Sequence, residues 1–205
     1  MAKIHIIADA TDAQVANWLA TRLEATLSNM DVAAISIPGG STPFPILSNL
    51  VQRPIDWSRV EVWPGDDRIV PEDHPASNTG RMAQLFEPVG AKVARLELGK
   101  NLPHFAIVWL GMGADGHIAS LFPSIDPRAD DDLHIRQLTP DPLPPEAPFD
   151  RITLTMPALL DSDELLFVAR GAEKLALFEA AARGDNDLPV ARLLAAAQQS
   201  VTCFV

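Results

Sequence analysis

At 205 residues, with 47% hydrophobic and 21% charged side chains, the chain is sized for one domain with a full core and has an ordinary globular composition. A net charge of −11 argues against nucleic acid or an anionic membrane as partner, because both require a basic surface. The single cysteine, Cys203, allows no intrachain disulfide and fits a reducing compartment.

The chain opens directly into Lys3-Ile4-His5-Ile6-Ile7-Ala8, read as a first strand. No basic segment followed by a long apolar run precedes it, and a soluble, cytoplasmic protein is expected. Thr11 or Asp12 can cap a helix to about Met30, with Val15, Trp18, Leu19, Leu23 and Leu27 at helical spacing. Val32 to Ile37 reads as a strand, followed by the Gly39-Gly40-Ser41-Thr42-Pro43 turn and a short helix through Leu47 and Leu50. The strand Val60 to Trp63 leads into a charged turn, Asp66-Asp67-Arg68. A helix is expected over Ser77 to Phe86, a short β piece near Val93 to Leu98, and a buried strand over Phe105 to Leu110.

Prolines at 123, 127, 140, 142, 144, 145 and 148 predict an irregular surface excursion over residues 123–148, because proline fixes φ and lacks an N–H donor. Strands then return at Arg151 to Thr155 and Glu164 to Ala169, with a helix over Ala172 to Arg183 and a last strand at Ser200 to Val205. Apolar strands separated by helices predict a mainly parallel sheet covered on both faces, with ligands beyond the carboxyl ends of its strands.

Four segments follow strand ends. Gly111-Met112-Gly113-Ala114-Asp115-Gly116 has the literal G-x-G-x-x-G spacing of a dinucleotide site, but Pro123 leaves no room for the long helix that must receive a pyrophosphate. Asp115-x-His117 offers two metal ligands, and no His-x-x-x-His pair or cysteine cluster completes a set, so neither cofactor nor metal is expected. Acid–base chemistry remains: an imidazole titrates near neutrality, and a carboxylate two residues away can orient it. With no nucleophile elbow around Ser120, water is the expected attacking species. The glycine-rich turn at Gly39 to Thr42 suits an anion at a helix start, and Lys174 sits in the first turn of its helix, where a cation is disfavoured unless an anion accompanies it. Asp66, Asp67 and Arg68 are candidates for sugar hydroxyls and phosphate, with Asn78 adding an amide.

In order along the chain, Gly39-Gly40-Ser41-Thr42-Pro43, Asp66-Asp67-Arg68-Ile69-Val70-Pro71 with Ser77-Asn78, Gly111 to Pro123, Arg151-Ile152-Thr153 and Gly171-Ala172-Glu173-Lys174 resemble the 6-phosphogluconolactonase family. That family lies within the group of glucosamine-6-phosphate deaminases and ribose-5-phosphate isomerases. The resemblance implies one domain over residues 1–205 with a Rossmann-like three-layer α/β sandwich of the ribose-5-phosphate isomerase/CoA transferase type. It also implies hydrolysis of 6-phospho-D-glucono-1,5-lactone, a phosphosugar lactone, without a cofactor. By the resemblance His117 and Asp115 are catalytic. Gly39, Gly40, Ser41, Thr42, Asp66, Asp67, Arg68, Asn78, Gly113, Arg151 and Lys174 form the substrate site. Deaminases resemble Asp-Gly-His-Ile-Ala-Phe-Asn-Glu-Pro, and Phe122 stands where their glutamate completes a relay. The alternatives are an amino-sugar phosphate isomerase or deaminase, and a non-catalytic phosphosugar sensor. The family's usual Asp-Glu-Arg is Asp66-Asp67-Arg68 here. A protein partner is not implied, and a monomer is the expectation.

Overall fold

Thr11 starts the first helix with a reciprocal cap: its Oγ1 accepts from the Gln14 N–H, and Gln14 Oε1 accepts from the Thr11 N–H. The computed structural model describes residues 2–145 and 147–205. In chain order the elements are β1 (Ile4–Ile7), α1 (Asp12–Leu27), β2 (Ala33–Ile37), α2 (Pro43–Leu50), β3 (Val60–Pro64), β4 (Asp66–Arg68), α3 (Asn78–Phe86), β5 (Lys92–Val93), β6 (Phe105–Leu110), β7 (Ile135–Leu138), β8 (Arg151–Leu154), α4 (Met156–Leu160), β9 (Ser162–Val168), α5 (Ala172–Arg183), α6 (Pro189–Ala196) and β10 (Ser200–Phe204).

Seven strands form one sheet in the order β1-β10-β9-β6-β2-β3-β5, every neighbouring pair parallel. Side chains alternate across it as the pleat requires. Leu166 and Val168 face a core with Leu19, Leu23, Ile46, Leu47, Met82 and Phe86 of α1 to α3. Leu165 and Phe167 face a second core with Leu159, Phe178, Val190 and Leu193 of α4 to α6. The three layers match the expected class. Cys203, in β10, is fully buried in the second core, and burial pushes its thiol up to about 12.

The sheet order explains where a ligand fits. β2 and β6 are neighbours, yet the chain leaves β2 toward β3 on one side and leaves β6 toward β9 on the other. The two connections diverge beyond the carboxyl ends and open a crevice between them.

Three features differ from the sequence expectations. The polar triplet Asp66–Arg68 is a strand, β4, in a separate antiparallel sheet of order β4-β8-β7, with Leu154 N–H donating to Gly65 O at 2.9 Å. The excursion over residues 123–148 is not wholly irregular: the proline-free interval between Pro127 and Pro140 supplies β7, which pairs with β8 from Ile135↔Leu154 to Leu138↔Arg151. Glu146, in the same stretch, lies outside the described residues. The short helices α4 and α6 each begin with a proline in the first turn, at Pro157 and Pro189, where its missing N–H costs nothing.

Candidate active site

The loop after β6 folds back on itself. Gly113 N–H donates to His117 O at 2.9 Å, Gly116 N–H donates to Gly113 O at 3.1 Å, and Ile118 bridges to Met112 and Leu121. No long helix follows this motif directly, so the glycine run lacks the helix N-terminus that would receive a pyrophosphate. The fold-back seats the imidazole against the Gly113 backbone. A Cβ at position 113 would lie 2.2 Å from His117 Cε1 and Nδ1, so any larger residue displaces the ring. His117 Nδ1 contacts Asp115 Oδ1 at 2.6 Å, and the same oxygen accepts from His117 N–H at 3.2 Å. With Nδ1–H directed at a carboxylate, the neutral ring presents Nε2 as its basic nitrogen. The ring is one-third exposed and packs 4.8 Å from the Phe122 ring.

A crevice of about 390 Å³ begins at this ring, within the range of small-ligand sites. It brings together Gly39, Gly40, Ser41, Thr42, Asp66, Arg68, Asn78, Gly113, His117, Arg151 and Lys174, eleven of the thirteen residues singled out from sequence. Lys174 and the serine–threonine turn lie on the same crevice as His117.

Two of the thirteen sit elsewhere. Asp115 stands behind His117 as its hydrogen-bond partner. Asp67 is buried, and its carboxylate is used up by the start of α3: Oδ1 accepts from Asn78 N–H at 2.6 Å and Arg68 N–H at 2.8 Å, Oδ2 from Thr79 N–H at 2.9 Å and Ser77 Oγ at 3.2 Å. The expected substrate contact at Asp67 is therefore replaced by a helix-capping role. Its short side chain serves the site indirectly by fixing Asn78, whose Nδ2 donates to Asp66 O at 2.8 Å.

The cationic side of the crevice is concentrated by the small sheet. Arg68 and Arg151 are direct partners across β4 and β8. Like charges in register repel, and burial, followed by Arg68, pulls the Arg151 guanidinium down from its ordinary value. Arg68 Nη1 donates to Ala76 O at 2.8 Å and Arg151 Nη2 to Ala147 O at 2.9 Å. Arg68 Nε and Arg151 Nη1 are buried without a partner among the described residues. Two crowded guanidinia with spare donors are stabilised by an anion.

Two helix starts add to this. No side chain caps α2: Thr42 before it itself has helical φ and ψ, and the helix begins with Pro43. α5 likewise has no side-chain cap at Gly171. The uncapped N–H groups and positive dipole ends of both helices favour an anion.

Sequence reasoning missed Ser120, Pro144 and Ala147, which also line the crevice. Ser120 Oγ donates to Asp66 Oδ2 at 2.5 Å, and Ser120 N–H donates to Thr153 Oγ1 at 3.2 Å. Its signal was its place three residues after His117 in the same tight loop. Among the described residues no group of three or more His, Cys, Asp or Glu side chains is arranged to hold a metal ion, and no helix is long and apolar enough to cross a membrane.

Comparison with known proteins agrees with this arrangement. The family model described as glucosamine-6-phosphate isomerases/6-phosphogluconolactonase matches residues 7–94 and 81–203. A 6-phosphogluconolactonase of Pseudomonas putida is 32% identical over 94% of this chain and 89% of its own. One from Neisseria meningitidis is 30% identical over 93% of this chain and 91% of its own. The crystal structure of a 6-phosphogluconolactonase from Shewanella baltica superposes with a TM-score of 0.83 at 27% identity, covering 100% of this chain and 97% of that one.

Proposed function

Since the chain belongs to the glucosamine-6-phosphate isomerase/6-phosphogluconolactonase family, we propose that it hydrolyses 6-phospho-D-glucono-1,5-lactone to 6-phospho-D-gluconate in the cytoplasm. The observation that carries this reading is a single crevice holding a ring nitrogen free to take a proton and three cations suited to a phosphate. Arg68, Lys174 and the Gly40-Ser41-Thr42 helix start hold the phosphate, which places the lactone carbonyl toward His117. Nε2 of His117 takes a proton from water, and the oxygen so activated attacks the carbonyl carbon. Asp115 holds the ring in the required tautomer and stabilises the imidazolium that forms.

The deaminase alternative loses its relay here. A phenyl ring, not a carboxylate, packs against the histidine at position 122. Lactone hydrolysis requires no third carboxylate at that position.

The test is a lactonase assay corrected for spontaneous hydrolysis, with wild type beside His117→Ala. A positioned base contributes about 10²- to 10⁴-fold, so kcat falls on that scale while inorganic phosphate still binds. Wild-type turnover in the variant refutes the assignment of His117. Release of ammonia from glucosamine 6-phosphate restores the deaminase reading, and phosphosugar binding without turnover restores the sensor.

A further inference from the structure

The lactone reaction has two proton problems, and His117 answers only the first. Water must lose a proton as it attacks, and the ring oxygen must gain one as it leaves. Among the described side chains that line the crevice, the groups able to carry a proton are His117, Asp66 and Lys174, since arginine does not give one up near neutrality. Lys174 is committed to the phosphate in the reading above. Asp115 is tied to His117, and position 122 is a phenyl ring.

Asp66 is placed differently from the neighbouring Asp67. Its Oδ2 accepts the Ser120 hydroxyl at 2.5 Å. Its Oδ1 has only a 3.5 Å approach from Asn78 Nδ2, too long for a strong bond. Although Arg68 and Arg151 stand close, no ion pair within 4.0 Å joins either to Asp66 among the described residues. A carboxyl on a ligand crevice, with one oxygen anchored and the other left over, is built to present that oxygen to a ligand.

We propose that Asp66 is a second proton-transfer residue of this reaction, the acid that delivers a proton to the departing ring oxygen. The proposal rests on the hydrolase reading above. In the step, a lone pair on the water oxygen forms the new bond to the carbonyl carbon, the water proton goes to His117 Nε2, and the carbonyl π pair moves onto its own oxygen, returning as the ring bond breaks. The bond from that carbon to the ring oxygen then breaks, its electron pair stays on the oxygen, and the Asp66 proton completes the hydroxyl. The product acid and His117 release their protons to solvent, Asp66 recovers one, and one proton is produced per turnover.

The surroundings suit a proton held on Asp66. Burial pushes its carboxyl up, and Asp67 adds to this, while the Ser120 bond, Arg68 and Arg151 partly oppose it. Asn78 approaches from α3, and His117 and Lys174 share the crevice. A phosphate dianion on the same crevice raises the carboxyl further.

The experiment is the pH profile of kcat for wild type, Asp66→Asn and Ser120→Ala, corrected for spontaneous hydrolysis. Loss of the acid lowers kcat by about 10²-fold or more and leaves KM within a few fold. The alkaline decline that follows Asp66 ionisation disappears in Asp66→Asn. In Ser120→Ala the same decline moves to higher pH, because the lost hydroxyl had favoured the carboxylate. A risen KM with near-wild-type kcat in Asp66→Asn, or an alkaline limb unmoved in Ser120→Ala, overturns the acid role while the hydrolase reading stands. A wild type without turnover overturns both.

Discussion

The two ends of β6 carry the same pair of residue types and use them for different ends. Beyond its carboxyl end, His117 meets one aspartate through Nδ1 at 2.6 Å and faces a crevice. Just before its amino end, His104 Nδ1 meets Asp161 at 2.6 Å while Nε2 meets Asp163 at 3.0 Å, both at the start of β9. A short His–Asp contact is therefore no mark of catalysis. The difference lies in the second nitrogen: occupied in His104, spared in His117. In a parallel sheet only the carboxyl ends diverge into a ligand crevice, so only there is a spare basic nitrogen useful.

Breaking the end proposed to be catalytic should have the largest effects. Gly113→Ala drives a Cβ into the imidazole, and displacing a catalytic group by about 1 Å costs on the order of 10²-fold in kcat. The variant should remain folded by circular dichroism, because the strain falls on a partly exposed loop. Asp115→Asn keeps the shape but no longer stabilises the imidazolium. A loss in kcat/KM follows in the same lactonase assay, because the amide no longer fixes the tautomer or the charge of the ring. Lys174→Met should chiefly raise KM, by about 10-fold or more, as expected for losing one charge-assisted bond to the phosphate.

The amino end should answer only in stability. Hydrogen bonds to Asp161 and then Asp163 raise the His104 pKa above its ordinary 6.5, partly opposed by burial. The folded state binds that proton more tightly, so the contribution is full below 6.5 and fades as pH rises through the elevated folded value. Half-exposed partners limit it, and a surface pair of at most about 1 kcal/mol corresponds to no more than about 4 °C in a chain of this size. His104→Gln should therefore lower Tm at pH 6 by a few degrees or less, approach wild type at higher pH, and leave kcat unchanged. A drop in kcat for this variant would contradict the division between the two ends.

Local signals in the sequence were strong where a segment's partners are close or its pattern is regular. The β6 run is apolar at every position, and α5 runs over Ala172–Arg183 as its spacing predicts. The small antiparallel sheet was hidden for a physical reason. Asp66-Asp67-Arg68 has poor β propensity, and its pairing partner β8 begins at Arg151, far along the chain. β7 was masked by prolines that flank it without entering it. Most of the candidate site was legible because its residues sit at strand ends. Asp67 was misassigned because a carboxylate that binds a ligand and one that caps a helix look alike until the N–H groups of α3 are placed. Ser120 was passed over as a failed nucleophile when its hydroxyl serves a carboxylate instead.

Cys203 gives the fold its own reporter. Its thiol lies on β10, which is held between β1 at the sheet edge and β9, and is the only sulfhydryl in the chain. Alkylating reagents need an exposed thiolate, and here both exposure and ionisation are denied while the strands stay together. The rate of its modification under native conditions is thus a clock for how often this margin of the sheet comes apart, readable by mass without any added label.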